Sequence, residues 1–339
     1  MKVAVYYNNN DIRIKEIPIP DINNNELLVK IKSSGICGSD VMEWYRIKKA
    51  PIVLGHEITG NIVKVGKNVN KFKTGDRVFV SHHVPCNQCN FCKNDQHTLC
   101  DTLHNTNFVP GGFAEYLQVP EINVNIGTFI LPKEISYDEG VFIEPLACVI
   151  RGMKITDMKR NKTVLVIGSG ISGLLHIKLA KILDAKKIIS IDINEYRLKI
   201  AKKTGADLVF NAKELTSDLL KRNNEGKLAD YVFLCTGSIS AVKQAIDLID
   251  YGGTIMFFAP TKPGLDIPLP LFDIWNRGVK IVSTYAGAPK DIENAIELIR
   301  NKKIIVKDLI SHKIPLDDTK KGFKLVADAK ESLKVIIKP

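Results

Sequence analysis

The chain has 339 residues, 45% of them hydrophobic and 25% charged, the balance of a folded protein long enough for two domains that each bury a core. Its net charge of +11 comes from 48 Lys and Arg spread among 37 Asp and Glu, which excludes a concentrated nucleic-acid-binding stripe and reads as a solvated lysine-rich surface. No apolar run approaches the ~18 residues of a bilayer crossing, and residues 2–7 read as a strand and not as a secretory leader, so the expected location is cytoplasmic.

Residues 1–145 are expected to be β-rich, with branched aliphatic runs at 27–31, 58–65 and 77–80 separated by Gly, Pro and Asn turns. Three motifs stand out in this region: Cys37-Gly38-Ser39-Asp40, Gly55-His56-Glu57 and Ile143-Glu144-Pro145-Leu146. Each alone has a bland explanation, since a buried Cys or His is usually core packing and Glu144 before a proline suits a helix cap. Together they offer a thiolate, an imidazole and carboxylates, a ligand set that leaves one zinc position open to a substrate oxygen. Between them, Cys86, Cys89, Cys92 and Cys100 supply four thiolates on a short loop, enough for closed tetrahedral zinc. An iron-sulfur cluster competes for the two successive two-residue gaps, but the three-residue last gap and following proline of a ferredoxin run are absent. His82, His83, His97 and His104 read as surface residues, and Trp44, Tyr45 and Phe113 as walls of a pocket near the zinc motifs.

From Thr163 the pattern changes. Residues 163–167 form a continuous apolar run, hence a strand buried on both faces, and 171–183 follow with the helical spacing of Leu174, Leu175, Ile177 and Leu179. Further strands are expected at 187–192, 207–210, 231–235, 254–258 and 279–284, with helices at 195–203, 214–222 and 241–249, a doubly wound parallel sheet. Between the first strand and its helix lies Gly168-Ser169-Gly170-Ile171-Ser172-Gly173, the spacing of a dinucleotide-binding turn. Gly168 permits the tight turn, Gly170 lets backbone approach a pyrophosphate at the helix start with Ile171, and Gly173 allows close helix packing. Asp192 ends the next strand, where a carboxylate accepts from ribose hydroxyls and repels a 2′-phosphate, favouring NAD over NADP. Arg197 is a further candidate for the ribose or phosphate edge, its alternative being a solvated helix arginine.

These motifs, with Gly75-Asp76-Arg77-Val78 and Gly111-Gly112-Phe113-Ala114-Glu115-Tyr116 in the same order, resemble the medium-chain zinc-dependent alcohol dehydrogenase family along essentially the full chain. The resemblance implies an α/β protein: a GroES-like β-rich catalytic domain at 1–147 and 285–339, with a structural zinc lobe at 82–104, and a Rossmann NAD-binding domain at 148–284. It implies two zinc ions per subunit, NAD, and a homotetramer or homodimer. Glu144 stands where classical alcohol dehydrogenases carry a cysteine ligand and is similar to sorbitol and threonine dehydrogenases. Carried over by position, Cys37, His56 and Glu57 hold catalytic zinc, Glu144 ligates, exchanges with water or holds substrate, and Ser39 takes the first proton. A histidine commonly follows Cys37 by five residues in the family; this chain has Met42. The implied activity is hydride transfer between a secondary alcohol or polyol and NAD, with L-threonine 3-dehydrogenase as the alternative. A zinc-free or non-catalytic relative of the same fold is the reading from another class.

Overall fold

The computed structural model describes all 339 residues, which divide into two compact units, Met1–Ala147 with Ala286–Pro339 and Cys148–Tyr285. No helix is long and apolar enough to cross a membrane.

The first unit is built on a seven-stranded sheet whose centre is the long strand Leu27–Ile36. Glu57–Val65 pairs antiparallel along one edge of it, and the C-terminal strand Lys334–Lys338 along the other. Arg77–Val80 and Thr128–Ile130 extend the sheet beyond Glu57–Val65, and Ile310–Pro315 extends it beyond the C-terminal strand. Alternating apolar residues bury one face: Leu27, Val29, Ile31, Ile58, Ile62, Val78 and Val80 share one core cluster. Each such fully buried aliphatic side chain contributes about 1.5–3 kcal/mol. Phe113 belongs to a second cluster, edge-on to Phe323 with ring centroids 5.6 Å apart, so it is a core residue and not the pocket wall anticipated.

The register of the central strand explains one glycine. Gly35 pairs with Glu57 on one side and Ile336 on the other. A Cβ on Gly35 would lie 2.0 Å from Glu57 Oε2, so the missing side chain opens a passage across the strand. Through it the Glu57 carboxylate reaches Lys334, two residues before Ile336, with Nζ donating to Oε1 at 2.7 Å and to Oε2 at 2.6 Å.

The second unit is a six-stranded parallel sheet. Its spatial order is Leu208–Asn211, Lys187–Asp192, Thr163–Ile167, Ala229–Leu234, Ile249–Phe257 and Lys280–Ser283, the doubly wound arrangement. All five residues of Thr163–Ile167 are buried, as its unbroken apolar run requires. Two elements depart from expectation. The helix expected from residue 214 starts at Ser217, because the Thr216 hydroxyl accepts the Leu219 amide and caps it there. The helix Leu271–Arg277 was not anticipated, since Leu271, Phe272 and Trp275 face outward and leave no apolar stripe toward a core.

Candidate metal centres and dinucleotide turn

The four cysteines of the first unit converge. Cys89 Sγ lies 3.6 Å from Cys92 Sγ, and Cys100 Sγ lies 3.6 Å from Cys86 Sγ. Four sulfurs bound at ~2.3 Å to a tetrahedral ion sit ~3.8 Å apart, so the cluster fits zinc. The loop aims amides at the sulfurs: Gln88 and Cys89 donate to Cys86 Sγ, and Cys86 donates to Cys100 Sγ at 3.4 Å. These amides favour the thiolate form of Cys86. Burial opposes ionisation of Cys100, yet the Cys86 and Leu103 amides prevail and bring it down to about 6. Apart from the cysteines, the apolar cluster around the sulfurs contains only Leu103, with Ala286 packed against it, so the order of this loop rests largely on a ligand at the sulfurs.

A second group gathers Cys37, His56 and Glu57, whose ligand atoms all lie within 4.8 Å of one another. This soft-to-hard set of S, N and O donors also suits zinc. The surroundings fix its geometry. Cys37 ends the central strand and opens the short helical turn Gly38–Val41, its Sγ accepting the Ser39 amide at 3.4 Å. Asp40 is fully buried; its Oδ2 accepts the Cys37 amide at 3.0 Å, and its Oδ1 faces His56 Nδ1 at 3.4 Å. A carboxylate behind a histidine in this way orients the other ring nitrogen toward a metal. Burial opposes ionisation of Asp40, but His56, Arg46 and the Cys37 amide hold its carboxyl below the ordinary range. Burial likewise opposes a charged His56, but Asp40 and Cys37 reverse that and raise it well above the usual imidazole range.

Three residues that the sequence did not assign to this site complete the group. Lys334, only 2% exposed, pairs with Glu57 and feels the charges of Cys37 and Glu144. Arg46 reaches back from the helix Glu43–Arg46, donating from Nε to the Ser39 carbonyl at 3.0 Å and from Nη2 to Ser39 Oγ at 3.1 Å. Its Nη2 is also 3.5 Å from Asp40 Oδ1. The third is His82, whose ring centroid lies 4.8 Å from that of His56 and 3.8 Å from that of His83. His82 and His83 are partly buried and, with Glu144, line a small cavity that also touches Ala147, Ala286 and Ile292, so they are not surface residues. Burial, reinforced by neighbouring cations and imidazoles, keeps both neutral; His83 is lowered to about 3. Glu144 stands in the first turn of the helix Ile143–Thr156, on this cavity and outside the group of three.

In the second unit the glycine turn has the geometry its spacing implies. Gly168 adopts φ +96°, and a Cβ on Gly173 would lie 1.9 Å from the Gly168 carbonyl oxygen, so neither tolerates a side chain. Gly170 caps the helix Ile171–Ile182, and a Cβ there would meet only Arg197 Nη1, at 3.8 Å, which leaves a cradle open at the helix start. Asp192, 7% exposed, accepts the Ser169 amide at Oδ2 (2.7 Å) and the Asn194 amide at Oδ1 (2.9 Å). Its remaining lone pairs are available to ribose hydroxyls. Arg197 Nε is buried without a partner beside the same turn, an orphan that a bound ribose or phosphate oxygen satisfies. These residues fit a dinucleotide.

A parallel doubly wound sheet with this turn, together with a β-rich unit bearing one four-cysteine cluster and one open S, N, O group, defines a zinc- and dinucleotide-using oxidoreductase. Comparison with known proteins agrees. Residues 23–126 match the family described as Alcohol dehydrogenase GroES-like domain, and residues 172–301 match Zinc-binding dehydrogenase. Sorbitol dehydrogenase of Bacillus subtilis is 31% identical over 100% of this chain and 97% of its own length. D-xylulose reductase A of Aspergillus niger is 31% identical over 94% of this chain and 91% of its own. The crystal structure of galactitol-1-phosphate dehydrogenase from Escherichia coli superposes with a TM-score of 0.88 at 28% identity, covering 100% of both chains. The chain belongs to the medium-chain zinc-binding dehydrogenases, on their polyol dehydrogenase branch. It is an oxidoreductase that acts on alcohol groups with zinc and NAD(H).

Proposed function

We propose that this enzyme oxidises a secondary hydroxyl of a polyol, or reduces the matching ketose, and uses NAD in preference to NADP. The unit Met1–Ala147 with Ala286–Pro339 is the catalytic domain, and Cys148–Tyr285 carries the coenzyme. Cys37, His56 and Glu57 hold the catalytic metal, and Cys86, Cys89, Cys92 and Cys100 hold a structural one. When bound, zinc polarises the substrate hydroxyl and lowers its pKa, and NAD accepts the hydride. The observation that carries the polyol reading is the lining beside Cys37 and His56: Ser39, Arg46, His82, His83 and Glu144 are all polar, which suits a substrate with several hydroxyls. The relatives named for sorbitol and D-xylulose point the same way.

Ser39 Oγ takes the hydroxyl proton. Arg46 donates to the same oxygen, orients it, and, as a guanidinium, cannot accept a proton in turn. Met42 carries none either, so the proton leaves Ser39 for water, a ribose hydroxyl or one of the glutamates. Asp40 holds the His56 ring in place, and the Lys334 ammonium fixes the Glu57 carboxylate. Gly168, Gly170, Ile171 and Gly173 seat the pyrophosphate. Asp192 reads the ribose hydroxyls, with Arg197 at its edge, and a 2′-phosphate would meet the Asp192 charge. Self-association into a dimer or tetramer is also inferred, since Leu271, Phe272 and Trp275 are 70%, 72% and 76% exposed on the helix that leads into the edge strand Lys280–Ser283.

The test is NAD reduction by zinc-replete protein across sorbitol, xylitol, L-threonine and simple secondary alcohols. The reading expects the highest kcat/KM on a polyol. A preference for L-threonine would replace it with the amino-acid alternative, for which Arg46, the cation beside Ser39, is already engaged by Ser39 and Asp40.

A further inference from the structure

The backbone around His82 is held rigidly. Asn123 Nδ2 donates to the Ser81 carbonyl at 2.9 Å and the His82 carbonyl at 3.0 Å, and Ser81 Oγ donates to the His83 carbonyl at 2.9 Å. The His82 ring is clamped between His56 and His83, with Phe108 at its edge. Yet its Nδ1 is shielded from water without a hydrogen-bond partner. A buried, unpaired polar nitrogen on a fixed ring is costly to keep, and such groups persist where a ligand supplies the partner. The two ring orientations related by a half-turn about χ2 are not distinguished by shape, and His82 lines the cavity that it shares with Glu144 in either one.

We propose that His82 hydrogen-bonds a second substrate hydroxyl, on the carbon next to the one being oxidised, and so selects vicinal diols over mono-alcohols. The proposal rests on the polyol reading above and deepens it. The imidazole stands one ring from His56, with centroids 4.8 Å apart, and lines a cavity with Glu144, so it is the polar side chain placed to meet an oxygen next to one held at Cys37 and His56. An analogue with hydrogen in place of that hydroxyl leaves the nitrogen unpaired, and sites of this kind reject such analogues strongly.

The experiment compares butane-2,3-diol, as its separate stereoisomers, with butan-2-ol on zinc-replete wild type, His82→Phe and His82→Asn. Wild type is expected to favour its preferred diol isomer by at least about 10-fold in kcat/KM. His82→Phe, which keeps the ring packing, is expected to bring that ratio to within about 3-fold by losing more activity on the diol than on the mono-alcohol, and to weaken the diol Kd measured by calorimetry in parallel. His82→Asn, which restores a polar atom, is expected to recover part of the preference. Equal loss on both alcohols with zinc retained assigns His82 a structural role and overturns the proposal, as does an unmoved ratio. If the Phe variant loses metal or fails to fold, the same ratio in His82→Asn and His82→Ala decides. Absence of turnover of any alcohol or polyol by wild type refutes the polyol reading itself, an outcome distinct from turnover with an unmoved ratio.

Discussion

Arg46 shows what a single side chain adds that spacing could not announce. The Cys37 and His56-Glu57 motifs were legible because metal ligands are short, soft or hard donors in compact signatures. Arg46 acts through a bend of the chain that brings it back onto Ser39. Arg46→Met is expected to lower kcat by about 10- to 100-fold with zinc content unchanged, because Ser39 loses its orientation. Arg46→Lys is expected to recover only part, since an ammonium cannot reproduce the two-point fork on Ser39. Steady-state rates with metal analysis check both. Lys334 was equally hidden, 277 residues from its partner Glu57, and its one signal was a lone lysine inside the apolar run Leu333, Val335, Ile336, Ile337. In the coenzyme unit, Asp192→Ala is expected to narrow the NAD over NADP preference in kcat/KM by removing the charge that opposes a 2′-phosphate; an unchanged ratio would contradict the role given to that carboxylate.

Strands were legible where burial dictates composition, as in Thr163–Ile167, and helix starts were less so, because one hydroxyl at Thr216 decides where a turn begins. Pairing across the sheet was not legible at all, and two predictions follow from it. Gly35→Ala places a methyl against the Glu57 carboxylate and is expected to destabilise the first unit by about 1–3 kcal/mol, read as a lower urea midpoint. The second concerns Asp138, which accepts from Ser33 Oγ at 2.6 Å and from Lys338 Nζ at 2.6 Å, and pairs with Lys313. It thereby ties the central strand to both C-terminal strands. Burial opposes its ionisation, but Lys313, Lys338 and Ser33 lower its pKa from 3.8 to about 2. A carboxyl depressed on folding stabilises above its unfolded pKa and loses that contribution as pH falls through the folded value. Asp138→Asn is therefore expected to cost about 1–2 kcal/mol at neutral pH, after allowance for solvent screening of a partly exposed group. The difference from wild type is expected to vanish between pH 4 and 2, roughly, which denaturation at stepped pH measures.

At the scale of the whole molecule, the sequence was most informative where chemistry needs several residues in fixed order, as in the four-cysteine loop and the glycine turn. It was least informative about which polar groups face the substrate, because Arg46 reaches Ser39, and His82 reaches His56, only after folding. Metal and fold are coupled differently at the two centres. The apolar cluster around the four sulfurs is small, so chelation is expected to speed hydrogen exchange across residues 82–104 while the parallel sheet stays protected. The open centre is built into a sheet that packs without metal, so its loss is expected to abolish activity and leave the fold. The most direct test of the account joins zinc content to turnover in Cys37→Ser. Wild type is expected to hold two zinc ions per chain, and the variant one, folded and with no polyol-dependent NAD reduction. A variant that still turns over polyol after losing that zinc, or that retains both ions, would contradict the account.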